Sequence, residues 1–279
     1  MGQRIKRNLM AVAIGIFLYI IYFVIVVYFE RSIWELIGTY VVILSAAYFL
    51  NRKTIWALRG NYAYVVGRTE VARKYLQKAV NSGTKSPSAY IYLALLLVKY
   101  DNNATDAFKH LEQAIKIARD KTEERTAIIT QATCHYMNGD TDAAIKVLEE
   151  MRKNHDYVNA NANITLGYLY LRANRLDEAK HVTDLAIEEE PTSAAAWDNL
   201  GQILYAKNEI DEARKAFEAA LERKSSMADS NYYMGLICEV ADEKAQAKEY
   251  FRQASISPFT SFNTITQEQA DEKYNEYHN

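Results

Sequence analysis

Helix breakers are scarce in this chain: its 279 residues include 3 prolines and 10 glycines, so little interrupts long helices. Cysteine is scarcer, and the two present, Cys134 and Cys238, make neither a disulfide framework nor a zinc site. Each falls in an apolar helical stretch, where free cysteine acts as a small buried hydrophobe. His135 beside Cys134 has no second ligand pair at metal-binding spacing, so no metal is expected. Catalytic signatures are missing as well: there is no Gly-x-Ser-x-Gly, paired-histidine zinc motif or dinucleotide fingerprint. The run Gly83-Thr84-Lys85-Ser86 lacks the glycine spacing and residue order of a phosphate loop and reads as a turn. The chain is therefore expected to be no enzyme, with no cofactor and no small-molecule substrate. An excess of positive charge is also lacking, the formal net charge being −2. Seven of the 33 Lys/Arg but only two of the 35 Asp/Glu fall before residue 60, which leaves an acidic body. Without a basic stripe, nucleic acid is excluded as a partner.

What is present begins with two apolar runs. Leu9 to Phe29 carries no charge over 21 residues, about the length that spans the hydrocarbon core. Its length and the absence of a small-residue cleavage site argue against a signal peptide. Ile33 to Leu50 adds 18 residues with one charge, Glu35, near its start. Only Glu30-Arg31-Ser32 separates the runs, which predicts a transmembrane hairpin. Arg4, Lys6 and Arg7 precede it, and Arg52, Lys53 and Arg59 follow it, so the positive-inside rule places both termini and the body in the cytoplasm. If only one run spans, the body lies outside. Ala11 and Gly15 form a small-xxx-small spacing for helix packing.

Beyond residue 52 the chain repeats itself every 34–35 residues. The clearest copy runs Trp197, Leu200-Gly201, Leu204, Ala213, Phe217 and Ala220. Others contain Trp56, Gly60, Ala63, Ala72, Leu76 and Ala79; Leu166-Gly167, Tyr170, Ala179, Ala186 and Pro191; and Met234-Gly235, Cys238, Ala247, Phe251 and Ala254. Weaker copies hold Ala107, Leu111 and Ala114, then Gly139-Asp140, Ala144 and Leu148. A glycine inside a helix costs about 1 kcal/mol against alanine, so its recurrence at one period implies close helix packing. Leu95 and Ala132 stand where the second and third copies lack that glycine, and looser geometry is expected there.

This pattern resembles the tetratricopeptide repeat, Trp-x2-Leu-Gly-x2-Tyr, then Ala-x3-Phe, then Pro. The resemblance covers about 53–258. It implies an all-α chain: two transmembrane helices, a right-handed solenoid of about six helix pairs, and a C-terminal capping helix. The expected divisions are 1–52 with spans at about 9–29 and 33–50, the array at 53–258, and a polar tail or cap at 259–279. Thr266 is a plausible helix N-cap, with Gln269 three residues on.

In this family the first helix of each repeat lines a concave groove that typically holds an extended peptide. Carried over, the groove is expected to present Asn61, Tyr64, Tyr92, Lys99, Tyr136, Tyr168, Arg172, Asp198, Gln202, Tyr205 and Tyr232. Tyrosine, at 21 residues, recurs through that set, and its ring area and polar tip suit an interface; packing between repeats is the competing explanation. Chaperone-binding members use a Lys/Arg/Asn clamp for a C-terminal carboxylate. Here Lys99 and Arg172 are two repeats apart and Asp198 and Glu239 oppose them, so no clamp is expected. The resulting expectation is a scaffold or adaptor, anchored in a bacterial inner membrane, that binds a protein segment in its groove. The rival is a structural subunit of a larger membrane complex, assembled through the hairpin.

Overall fold

The computed structural model describes residues 15–17, 19–24, 33–153, 159–260 and 262–277. Every regular element among them is helical. Residues 15–17 and 19–24 form α1, and α2 runs unbroken for 33 residues, Ile33–Val65. Next come α3 (Thr69–Asn81), α4 (Pro87–Asp101), α5 (Ala104–Ile117), α6 (Lys121–Met137) and α7 (Thr141–Arg152). They are followed by α8 (Ala160–Arg172), α9 (Leu176–Glu189), α10 (Ala194–Ala206) and α11 (Ile210–Arg223). The last three are α12 (Ala228–Val240), α13 (Lys244–Ile256) and α14 (Gln267–Glu276).

The helices pack as successive antiparallel-type pairs: the end of α2 with α3, then α4/α5, α6/α7, α8/α9, α10/α11 and α12/α13. The turn inside each pair sits at a left-handed residue: Gly67, Asn102, Gly139, Asn174, Asn208 and Asp242. Glycine and asparagine tolerate that conformation best, so the turns mark the repeat frame. Five residues beyond each turn stands a fully buried alanine: Ala72, Ala107, Ala144, Ala179, Ala213 and Ala247. Seven residues before each turn stand Gly60, Leu95, Ala132, Gly167, Gly201 and Gly235, so the second and third repeats keep the same register. Ala132 is fully buried, and Leu95 packs at the margin of the core around Ala107 and Leu111. At Gly201 an added Cβ would lie 2.6 Å from the Phe217 ring. Only a missing side chain permits so close an approach. First helices of adjacent pairs also touch one another, α2 with α4, α4 with α6, α6 with α8, α8 with α10 and α10 with α12, making one continuous face. The stacked repeats thereby share core that no single pair could bury.

The N-terminal region corrects the sequence reading. Among the described residues no helix is long and apolar enough to cross a membrane. The expected second span, Ile33 to Leu50, is not an element of its own: α2 continues through Asn51, Arg52 and Lys53 and ends as the first helix of the first repeat. Arg52 and Lys53 have good helix propensity, and no glycine or proline intervenes between them and Gly60. They therefore change the helix's polarity without ending it. Most of the first expected span, Leu9 to Phe29, and the Glu30-Arg31-Ser32 turn lie outside the described residues. Where α1 is described it meets α2, the Tyr22 and Thr39 hydroxyls lying 2.8 Å apart and the Tyr19 and Tyr40 rings meeting edge-on at 5.6 Å. The expectation of an integral inner or plasma membrane protein with both termini and the array in the cytoplasm is overturned. With it goes the basis for a brace assembled through a membrane hairpin.

At the other end α14 packs on α13. Thr266 caps it, accepting from the Gln269 backbone while the Gln269 side chain accepts from the Thr266 backbone. Tyr274 and Tyr277 cover Phe251, Ala247 and Cys238, and Lys273 pairs with Glu239 at 3.1 Å.

Candidate binding face

The face built by the first helices changes character along its length. At its N-terminal end Tyr64 from α2 stacks on Tyr92 from α4, ring centroids 4.4 Å apart and nearly parallel. Burial, followed by the neighbouring Tyr92 and Tyr100, raises the Tyr64 phenol pKa. These two rings join one repeat to the next. Beside them the Asn61 Oδ1 is buried with no hydrogen-bond partner among the described residues. Lys99 stands exposed, its ammonium 5.4 Å from the Tyr100 ring centroid. Tyr100 is 53% exposed. Lys99, Tyr100, Tyr136 and Met137 border an open recess.

In the middle, Tyr136 from α6 and Tyr168 from α8 meet hydroxyl to hydroxyl at 2.8 Å. Burial first, and then the bond to Tyr136, raise the Tyr168 pKa. Arg172 lies exposed at the end of α8. Farther along, Asp198 and Gln202 from α10 meet Asp229 and Ser230 from α12. Gln202 Nε2 donates to Asp198 Oδ2 at 2.8 Å and, more weakly, to Asp229 Oδ2 at 3.4 Å. The Ser230 hydroxyl donates to Asp198 Oδ1. Burial, followed by the Asp229 charge, pushes the Asp198 carboxyl up to about 7. Burial raises Asp229 too, opposed chiefly by the backbone N–H groups of Thr264 and Ile265. Tyr205 packs against Tyr233 at 5.0 Å, and Tyr232 meets Phe251 edge-on at 5.7 Å; both are absorbed in helix packing.

The group unforeseen in the sequence is the connection between α13 and α14, non-helical at 257–260 and 262–266, which folds back over this face. Phe262 packs on Tyr168 at 5.2 Å and on Tyr136 at 6.0 Å. The Thr264 hydroxyl donates to Gln202 Oε1 at 2.9 Å. The Thr264 and Ile265 N–H groups donate to the Asp229 carboxylate at 3.0 and 3.3 Å. A turn shapes the segment, the Thr260 N–H donating to Asn263 Oδ1 at 2.6 Å. Under it lies a cavity of about 300 Å³ bordered by Tyr168, Asp198, Asn199, Asp229, Phe262 and Asn263. Of the expected groove residues, Tyr136, Tyr168, Asp198 and Gln202 thus come together around this segment. Tyr64 and Tyr92 form a separate stack, and Lys99 and Arg172 stay open. Asp229, Ser230 and Tyr233 were missed because the repeat frame singles out no polar role for them. The available signal for the segment was Phe259, Phe262 and Ile265, apolar at three-residue spacing in a polar tail. Among the described residues no group of three His, Cys, Asp or Glu could hold a metal ion.

The pattern described as "Tetratricopeptide repeat" matches residues 164–228 and 199–259. That stretch holds the helix pairs from α8 to α13. Residues 164–259 carry tetratricopeptide repeats. A second family, the ARM repeat of tetratricopeptide repeat protein 21, matches residues 63–183. No curated protein matches the sequence. Among solved structures, that from the functional characterisation of Pseudomonas aeruginosa pilF is similar with a TM-score of 0.59 at 16% identity, covering 81% of this chain and 96% of that one. The pilus biogenesis factor PilW gives 0.58 at 16% identity, over 75% and 96%. The APC/C hetero-tetramer Cut9–Hcn1 gives 0.62 at 17% identity, over 81% of this chain and 42% of that one. At these identities the tetratricopeptide-repeat array shares a fold with all three.

Proposed function

We propose that this chain is a protein-interaction scaffold that holds a segment of a partner protein on its first-helix face. The observation that carries the reading is the segment at 257–266, seated there by a ring, a hydroxyl and two backbone N–H groups. A surface that accepts backbone donors and an aromatic side chain has what peptide recognition needs. The tetratricopeptide-repeat fold supports it in the same direction, and one structure with that fold, Cut9–Hcn1, is a hetero-tetramer. On this reading Lys99, Tyr100 and Arg172 are the residues that meet a partner on the open stretch, with Asn61 set behind them. Tyr64, Tyr92, Tyr205 and Tyr232 shape the face from within. The partner is a protein, held without cofactor or catalysis.

Photo-crosslinking tests this in cells of the source organism. A photoreactive residue replaces Lys99 or Arg172 on first helices, and Lys180 or Glu212 on second helices as the comparison. Crosslinked partner is expected from the first pair of sites only. Crosslinks confined to the second-helix sites would overturn the proposal.

A further inference from the structure

Capping the last repeat does not require the 257–266 segment to travel where it goes. That repeat is covered by α14, with Tyr274 and Tyr277 over Phe251, and by Ile265 of the segment, which packs with Ala254 and Ala270; neither contact involves Phe262 or Thr264. The segment instead crosses four first helices, touching Tyr136 of α6, Tyr168 of α8, Gln202 of α10 and Asp229 of α12. It also fits its seat incompletely, leaving the cavity between itself and Asp198, Asn199 and Tyr168.

We infer that this segment is a built-in competitor, displaced when a partner segment of like chemistry takes its seat. The inference rests on the scaffold reading above and specifies the ligand. Two of the anchors, the N–H groups given to Asp229, are backbone and are offered by any peptide. The selective anchors are the Phe262 ring between Tyr136 and Tyr168 and the Thr264 hydroxyl on Gln202. The partner segment therefore carries an aromatic residue and a hydroxyl residue two positions later, as Phe262-Asn263-Thr264 does. An intramolecular competitor acts at an effective concentration of order millimolar, so it weakens binding of every partner segment by the same factor.

The full chain provides the test, with a fluorescent peptide copying residues 256–267 as the probe. Fluorescence anisotropy compares wild type with a Phe262→Ala/Thr264→Val variant, whose own segment has lost both selective anchors. The variant is expected to bind the probe roughly tenfold or more tightly than wild type. A probe with its phenylalanine replaced by alanine should bind neither. Because the variant could fail to fold, hydrogen exchange on wild type gives a second arm: millimolar probe should raise exchange at 257–266, and the alanine probe should not. A folded variant that ignores the probe, or exchange at 257–266 unmoved by it, would show a permanent structural element and overturn the inference. A stable dimer of the variant would make a second copy the occupant, with the same consequence. Failure here with first-helix crosslinking intact would leave the scaffold reading standing, with partner contact confined to the open stretch.

Discussion

At the residue scale the sharpest constraints are on glycine and on a buried acid. An alanine at Gly201 places its Cβ 2.6 Å from the Phe217 ring, and Phe217 is fully buried, so the ring cannot swing aside. Gly201→Ala is expected to destabilise by about 1–3 kcal/mol through overpacking, despite alanine's better helix propensity. Urea unfolding measures it, and an increase in stability would contradict the close-packing account. Asp198 titrates higher in the folded chain than in an unfolded one because it is buried and then because Asp229 is near. The stability linked to that proton is fully present below the ordinary carboxyl value of 3.8 and is lost as pH rises toward about 7. Urea midpoints should therefore fall between pH 4 and pH 8. Asp198→Asn should flatten the fall, and an unchanged slope would show that Asp198 is not its source. The tyrosines divide by the same local logic. Those whose rings meet a ring on the first helix of the next repeat hold repeats together, and in the proposed function those left open meet a partner.

At the element scale the turns carry the frame. Asn208 has φ of 62°, a conformation that costs a side-chain-bearing residue about 1–2 kcal/mol. Asn208→Gly should leave the melting temperature nearly unchanged, whereas Asn208→Val should lower stability by roughly 1–2 kcal/mol. Equal effects would remove the conformational explanation. Helix α2 shows where a pattern read residue by residue goes astray. The change from apolar to charged residues at Asn51-Arg52-Lys53 looks like a boundary, yet propensity rather than polarity ends a helix, and those residues propagate it. Proline at Arg52 removes a backbone bond in the interior of α2 and should cost about 3 kcal/mol. Faster hydrogen exchange through the Ile33–Val65 helix is the readout; unchanged exchange would mean that the helix is divided there.

At the scale of the whole molecule the array behaves as neighbours in a row. Contacts run from each pair to the next, so damage at one end should stay near that end. Ala270 in α14 is fully buried, and Ala270→Asp would put an unpaired charge into the terminal cluster. Hydrogen exchange in that variant should rise in α12, α13 and α14 while α3 to α5 keep their protection. A uniform rise would instead mean that the array unfolds as a single cooperative body. The exception to nearest-neighbour order is the 257–266 segment, which ties α12 to α6 and gives the C-terminal half of the face an occupant.

Period, turn chemistry and small-residue spacing are local properties, repeated often enough to stand above noise, and from them the sequence alone determined the helix pairs and their frame. The alanines at 72, 107, 144, 179, 213 and 247 were legible because each meets the same packing demand. Tertiary structure decided what has no period. It decided that α2 continues through its charged stretch, because helix continuity depends on backbone propagation and packing of the first repeat. It decided which tyrosines are consumed by neighbours, because a ring's partner lies about one repeat away. It also decided that Phe262 finds Tyr136, 126 residues earlier in the chain. No local pattern encodes a contact of that range; only the stacked array brings its two ends together.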